Sequence, residues 1–129
     1  MKKYVPLLLA TLLFSGCVAF HTSVNSYRKI SMSDAVDRMK KESDYIILDV
    51  RTSEEFVSGH IPNAINIPTE TIGAGEISAL PDKEQLIMVY CRSGRRSKEA
   101  AEKLVKLGYT NIVEFGGILD SPGEIVIGQ

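Results

Sequence analysis

The chain has 129 residues, 44% of them hydrophobic and 24% charged, which suits one ordinary globular domain and excludes two. Its formal net charge of -1 gives no electrostatic reason to expect a nucleic-acid partner. The two cysteines, Cys17 and Cys91, stand in such different sequence contexts that we expect no disulfide between them. Two distant histidines without a Cys/His cluster predict no metal site.

The first residues predict an export signal. Residues 1–17 read MKKYVPLLLATLLFSGC, in which two lysines precede an apolar run that is too short for a comfortable membrane span. A plain cleaved signal or a short uncleaved anchor would share this pattern. The ending Leu13 to Cys17 resembles the lipobox of bacterial lipoproteins, with Phe14 where leucine is usual. That resemblance implies a signal peptide over 1–16 and, over 17–29, a lipidated Cys17 with its tether. The protein would then be exported and lipid-anchored to a bacterial membrane, in the periplasm or cell envelope.

Residues 30–129 are expected to fold as one domain that begins with a helix and a strand. Ser31 can cap a helix that places Ala35, Val36 and Met39 on one face. The apolar, β-branched run 45–50 then predicts a buried strand of a parallel sheet. The next expected elements are a short helix capped by Thr52 and stopped by Gly59, a brief strand over 64–67 and a weak helix within 69–80.

The second half of the domain predicts two more strands and the clearest helix. Residues 85–90 form another buried apolar run, and a loop over 91–97 follows it directly. The helix extends over 97–107 because its apolar residues recur at helical spacing, and a third strand over 112–115 ends at Gly116-Gly117. Alternating strands and helices predict an α/β fold, in which a central, mostly parallel sheet is covered by helices on both faces. Ligands of such sheets bind beyond the carboxyl ends of the strands, where Cys91 lies.

The loop after the 85–90 strand carries the chemistry. It consists of Cys91, Arg92, Ser93, Gly94, Arg95, Arg96 and Ser97. The backbone N–H groups of a tight loop that opens a helix form an anion cradle, which should lower the pKa of a cysteine held in it. The arginines suit an oxyanion, Gly94 permits unusual backbone geometry, and Ser97 can cap the helix and donate its hydroxyl to sulfur. The alternative is a buried, inert cysteine, but such cysteines are seldom followed by three arginines and a glycine.

Several blocks of the chain, taken in order, resemble the rhodanese (sulfurtransferase) family from about residue 29 to 127. They are Leu48-Asp49-Val50-Arg51, Glu55-Phe56, residues 59–68 (GHIPNAINIP), residues 90–97 (YCRSGRRS), Ala100-Ala101, Leu107-Gly108-Tyr109 and Gly116-Gly117-Ile118. Each block alone is weak, but their order and spacing are specific. The resemblance implies a rhodanese-like three-layer fold and a thiosulfate sulfurtransferase that needs no organic cofactor or metal.

In that family the cysteine carries the transferred sulfur as a persulfide, so Cys91 is the expected catalytic residue and the loop residues 92–97 the expected substrate-binding ones. Asp49 and Arg51 would support the site. The donor would be a small sulfur-containing anion such as thiosulfate, and the acceptor cyanide, a thiol or a protein. Four residues separate Cys91 from Arg96, as in sulfur-transferring members. Related phosphatases and arsenate reductases carry one residue more.

Other readings stay open at this point. The domain could be a non-enzymatic binding module, a phosphatase or arsenate reductase, or a store of persulfide sulfur for another envelope protein. Ser121 stands where the family commonly has tryptophan, which puts local packing in doubt. His60 falls in a family turn and is expected to be a hydrogen-bonded structural histidine. A small domain with one exposed site is expected to be a monomer.

Overall fold

A computed structural model describes residues 26–128. The elements in chain order are β1 (Arg28–Lys29), α1 (Met32–Lys41), β2 (Tyr45–Asp49), α2 (Ser53–Ser58), β3 (Ile65–Asn66), a 3-10 turn (Thr69–Thr71), β4 (Leu86–Cys91), α3 (Arg95–Lys106), β5 (Ile112–Gly117) and a second 3-10 turn (Ile118–Asp120). The predicted signal sequence, Cys17 and most of the predicted tether lie outside the described residues. Within residues 26–128, no helix has the length and apolar character needed to cross a bilayer.

The five strands form one sheet in the order β1-β5-β4-β2-β3, and every neighbouring pair is parallel. Helix α3 covers one face, where Ala100, Ala101 and Leu104 pack against Leu48 and Val89 of the sheet. Helix α1 covers the other face through a second buried cluster that includes Met32, Ala35, Ile47, Met88 and Phe115. The strands β4 and β2 are nearly continuous apolar runs because both of their faces are buried. The predicted α/β architecture is therefore confirmed.

Local sequence explains where the helices begin. Ser31 caps α1 by accepting a hydrogen bond from the Asp34 backbone N–H at 3.1 Å. Thr52 and Glu55 form a reciprocal capping box at the start of α2, with each side chain accepting from the other residue's backbone N–H. Both helices thus start where the sequence predicted them to start.

Four boundaries differ from the sequence-based expectations. The sheet already includes Arg28 and Lys29, before the domain boundary expected at residue 30. Only a 3-10 turn forms within 69–80, because Gly73 and Gly75 adopt positive φ angles that no α-helix accommodates. Helix α3 begins at Arg95, so Ser97 lies inside its first turn and does not cap it. Strand β5 continues through Gly116 and Gly117 instead of ending before them.

Candidate active site

Cys91 is the last residue of β4, at the carboxyl end of the sheet, and only 1% of it is exposed. Its side chain lies on the face covered by α3. The Gly94 backbone N–H donates a hydrogen bond to Cys91 Sγ at 3.0 Å, and Ser97 Oγ lies 3.5 Å from the same sulfur. The loop between β4 and α3 therefore curls around the sulfur, as the anion-cradle prediction requires.

The cradle favours the thiolate over the thiol. Burial by itself would raise the pKa of Cys91, because a dry site disfavours charge. Hydrogen bonds from the Ser97 hydroxyl and from the backbone N–H groups of Ser97, Gly94 and Ser93 outweigh burial and hold the pKa of Cys91 below its ordinary value. A lowered pKa increases the fraction of the sulfur that is present as the nucleophilic thiolate.

Two glycines allow the loop to adopt this shape. Gly94, the residue before α3, has a φ of 109°, in the left-handed region that side chains disfavour. Gly117 of β5 packs so tightly under the loop that a Cβ there would collide with the Arg92 carbonyl. A β-bulge in β5 brings Gly117 opposite Cys91. Val89 pairs with Glu114, but Cys91, two residues further along β4, pairs with Gly117, three residues further along β5.

The three arginines of the loop have different surroundings. Arg92 and Arg95 are exposed to solvent at the rim of the loop. Arg96 is half-buried and donates two hydrogen bonds to the Glu55 carboxylate, at 2.7 and 2.9 Å. This ion pair lowers the pKa of Glu55 to about 2. Arg96 therefore joins α3 to the capping box of α2, and its charge is already matched by Glu55.

Asp49 and Arg51 belong to a second buried network beside the loop. Asp49 is fully buried at the end of β2 and accepts a 2.7 Å hydrogen bond from Arg51 Nη2 and a 2.6 Å hydrogen bond from the Tyr90 hydroxyl. Arg51 also donates to the Gly59 carbonyl, and Tyr90 accepts from the Ile61 backbone N–H. The network fixes the chain at the end of β2, and through the Tyr90 hydroxyl it also fixes the residue immediately before Cys91. Neither predicted supporting residue contacts the sulfur.

The family model for a rhodanese-like domain matches residues 32–118, which include the whole Cys91 loop. The chain belongs to the rhodanese-like family. This match covers all three helices and four of the five strands; only the two-residue strand β1 lies outside it. The rhodanese resemblance read from the sequence motifs is thereby confirmed, as is the fold that it implied.

Named relatives agree with this assignment. The thiosulfate sulfurtransferase PspE of Escherichia coli is 40% identical over 73 residues, which are 57% of this chain and 70% of the relative. A sulfurtransferase of Allochromatium vinosum is 33% identical over 92 residues, covering 70% of this chain and 84% of the relative. A solved structure of an Escherichia coli rhodanese with anions has a TM-score of 0.60 and 37% identity, covering 65% of this chain and 99% of that one. These relatives confirm that the chain is a rhodanese-type sulfurtransferase.

Ser121, at the position where rhodaneses commonly have tryptophan, borders an open apolar groove. The groove has a volume of about 340 Å³ and is lined by side chains of α1, β2 and the turn after His60, including Met39, Ile47 and Ile61. Ser121 thus places a small polar side chain beside apolar neighbours. The groove lies on the α1 face of the sheet, away from the face that carries Cys91.

His60 has the structural role that its turn predicted. It is 5% exposed, its Nδ1 lies 2.8 Å from the Phe56 carbonyl, and its ring stacks on Phe56 at a centroid distance of 3.7 Å. Because a carbonyl only accepts, Nδ1 carries the proton. Within residues 26–128, no group of three or more His, Cys, Asp or Glu side chains could hold a metal ion.

Sequence reasoning missed two acidic residues of the site. Glu55 was recognised as part of a helix start and of a family block, but not as the partner of Arg96. Glu114 was read only as part of a strand, although its carboxylate accepts a 2.6 Å hydrogen bond from Ser97 Oγ. The signal for Glu114 was present, because a charged residue in the middle of an otherwise apolar strand rarely lies buried without a partner.

Proposed function

We propose that the protein moves a sulfane sulfur from a donor such as thiosulfate to a thiophilic acceptor, cyanide or a thiol, through a persulfide on Cys91. The observation that carries this proposal is the buried Cys91 sulfur, held by the backbone N–H of Gly94 and favoured as a thiolate. The related Escherichia coli rhodanese was solved with anions, which supports an anionic donor for this loop as well.

The reaction is a double displacement. The Cys91 thiolate attacks the outer sulfur of thiosulfate, an S–S bond forms, and the S–S bond of the donor breaks so that sulfite leaves with the electron pair. The acceptor then attacks the outer sulfur of the persulfide and Cys91 leaves as a thiolate again. Covalent catalysis of this kind gives ping-pong kinetics. The loop N–H groups stabilise the negative charge at each stage.

The deciding experiment is the intact mass of the full chain before and after thiosulfate, followed by cyanide. We expect the mass of one sulfur atom to be gained with thiosulfate and lost again with cyanide. The Cys91→Ser variant should fold normally, gain nothing and show no turnover. Sulfur transfer that persists in Cys91→Ser would refute the proposal, and no gain in a folded wild-type protein with a free thiol would point to a binding module.

Phosphatase activity is disfavoured by the size of the loop. Only four residues separate Cys91 from Arg96, and the guanidinium of Arg96 is bound to Glu55. A small ring suits a single sulfur atom on Cys91 better than a tetrahedral oxyanion with four oxygens. The protein should therefore leave a chromogenic phosphate ester unhydrolysed under conditions in which it transfers sulfur.

We also propose that the protein works outside the cytoplasm as a monomer, anchored to a bacterial membrane through lipid on Cys17. Support comes from the sequence of residues 1–17, which has the order of a lipoprotein signal. Metabolic labelling with a radioactive fatty acid in a bacterial host should label the wild type but not Cys17→Ser, with Cys91→Ser as the matched control. Equal labelling of wild type and Cys17→Ser would contradict the anchor.

A further inference from the structure

Glu114 is a fully buried carboxylate that the reaction described above does not use. It lies in β5, on the face covered by α3, and is 0% exposed. Its Oε1 accepts hydrogen bonds from Ser97 Oγ at 2.6 Å and from the Gly116 backbone N–H at 2.9 Å. Its Oε2 has no hydrogen-bond partner within residues 26–128. Burying an ionised carboxylate with one oxygen unsatisfied is costly. The protonation state of Glu114 therefore needs an explanation.

Ser97 connects Glu114 to the reactive sulfur. Its hydroxyl has a single proton and three oxygen acceptors within reach, namely Glu114 Oε1 at 2.6 Å, the Gly94 carbonyl at 3.0 Å and the Gly116 carbonyl at 3.4 Å. The 2.6 Å distance is typical of a strong hydrogen bond from a hydroxyl to a carboxylate oxygen. Cys91 Sγ lies 3.5 Å from the same oxygen. The three groups therefore form a chain from sulfur through Ser97 to Glu114.

Charge limits how many protons this chain can lose. Cys91 is 1% exposed and Glu114 0%, and each contacts the same hydroxyl. Two neighbouring negative charges in a dry site disfavour each other, so ionising both is costly. The cations around these groups do not remove this cost, because Arg96 is paired with Glu55 and the remaining ones are exposed. The exposed cations are Lys29, Arg92, Arg95 and Lys98.

The cleft beside Glu114 completes its electrostatic surroundings. Lys29, Lys98 and Asp120 line this cleft, which has a volume of about 520 Å³ and also borders Glu114. Lys29 is paired in register with Glu114 on the neighbouring strand. Within the described part of the chain, no Lys, Arg or His nitrogen lies within 4.0 Å of the Glu114 carboxylate. Ser97 is therefore its only side-chain partner there.

We propose that Glu114 takes the proton of the Cys91 thiol through Ser97 and keeps it while the sulfur is negatively charged. The Cys91 S–H bond breaks and its proton passes to Ser97 Oγ, while the Ser97 hydroxyl proton passes to Glu114 Oε1. After the transfer the hydrogen bonds point in the opposite direction: the neutral Glu114 carboxyl donates to Ser97, and Ser97 donates to the thiolate. The net charge of the three groups is -1 before and after, so no second buried charge is created.

This role makes Glu114 a positioning residue, since it acts on sulfur only through Ser97. The proposal rests on the proposed function, in which Cys91 is the nucleophile. The persulfide also carries one negative charge, so Glu114 holds its proton through both half-reactions. Ser97, whose Oγ lies 3.5 Å from the sulfur, can then donate to it throughout.

The test is an infrared difference spectrum of the full chain before and after the thiolate is alkylated with iodoacetamide. Alkylation removes the negative charge from Cys91, so Glu114 should release its proton. The wild type should therefore lose the carbonyl band of a protonated carboxyl group, gain a carboxylate band and release a proton to a weakly buffered solution. The Cys91→Ser variant should show none of these changes, and it also corrects for any reaction at Cys17.

Two further variants assign the signal. Glu114→Gln keeps the size of the side chain but cannot accept a proton, so the band should disappear, whereas Glu102→Gln on the exposed face of α3 should leave it intact. Ser97→Ala uncouples sulfur from carboxylate and should abolish the response of the band to alkylation. If Glu114→Gln fails to fold, the spectra of the wild type, Cys91→Ser and Ser97→Ala still decide the outcome.

The outcomes separate this proposal from the proposed function. A wild-type protein that transfers sulfur but shows no protonated-carboxyl band, or whose band survives Glu114→Gln, overturns the relay and leaves the sulfurtransferase proposal standing. A protein that shows the band and its loss on alkylation but transfers no sulfur supports the relay and overturns the proposed function.

Discussion

Two neighbouring regions at the carboxyl end of the sheet treat charge in opposite ways. At the end of β2, Asp49 and Arg51 are both buried and bind each other, with Tyr90 supplying a further hydrogen bond. At the end of β4, the Cys91 sulfur is surrounded by backbone N–H groups and a hydroxyl, while Arg92 and Arg95 remain at the solvent-exposed rim. One region contains a matched ion pair, and the other contains backbone N–H donors that no side-chain carboxylate occupies at the sulfur.

The difference shows why the chemistry belongs to the second region. A buried ion pair whose hydrogen bonds are satisfied internally has little left to offer a substrate, and it serves to hold the chain in place. A ring of N–H donors around a sulfur can stabilise whichever anion that sulfur becomes, thiolate or persulfide. Function at this sheet edge therefore depends on donors that the fold leaves available, and stability depends on the charges that it pairs.

The largest effect on activity is expected from filling the space between the Cys91 loop and β5. Gly117→Ala places a methyl group against the Arg92 carbonyl, so the loop must move away from β5. Because displacing reactive groups by about 1 Å can cost about a hundredfold in rate, we expect at least that loss in sulfur-transfer kcat/KM. Steady-state kinetics with thiosulfate and cyanide measure it. Gly123→Ala, where a Cβ meets only the Ser121 hydroxyl at 3.9 Å, is the control and should stay near wild type.

The next largest effect is expected on stability, at the buried ion pair of Asp49 and Arg51. Asp49→Asn leaves the guanidinium of Arg51 buried without its counter-charge. Removing one member of a buried pair typically costs about 3 to 5 kcal/mol of unfolding free energy, which we expect from denaturant titration at neutral pH. Asp120→Asn, an exposed carboxylate, is the matched control. If both variants lose equally little, the network does not hold the end of β2 as described.

The same contrast explains how far the sequence could lead. Patterns over 45–50 and 85–90 identified the central strands because a strand buried on both faces is apolar throughout. The edge strand β1 escaped notice because its two residues, Arg28 and Lys29, are both exposed and carry no apolar pattern. The loop was predictable for a similar local reason, since Cys91 is adjacent in sequence to the glycine and arginines of its loop.

Pairings between distant segments were not predictable in the same way. Glu55 meets Arg96 across 41 positions of the chain, and Glu114 meets Ser97 across 17. Such contacts depend on the order of strands in the sheet, which a single sequence does not reveal. The expected helix over 69–80 failed for a local reason, because glycine conformations overrode a weak apolar pattern.

A smaller, pH-dependent effect is expected at Glu55. Its pKa falls from 4.5 to about 2 on folding because it accepts hydrogen bonds from Arg96. A lowered carboxyl pKa contributes stability that is fully present above pH 4.5 and is lost as the pH falls towards 2. Glu55→Gln should therefore cost about 1 kcal/mol or less at pH 7, and its difference from wild type should shrink across that window. Glu54→Gln, which removes an exposed carboxylate beside it on α2, is the matched control in thermal or denaturant unfolding.

The smallest effect should come from the rim. Arg95 is exposed, so its attraction for an anion in water amounts to about 1 kcal/mol at contact distance and is weakened by salt. Arg95→Ala should raise the KM for thiosulfate a few-fold at low ionic strength, leave kcat and unfolding free energy near wild type, and lose its effect as salt is added. Lys106→Ala removes the same charge from the other end of α3 and should change none of these. A loss in kcat that salt does not alter would instead place Arg95 in contact with the reacting sulfur, and the available donors of the loop would then include a side chain as well as the backbone.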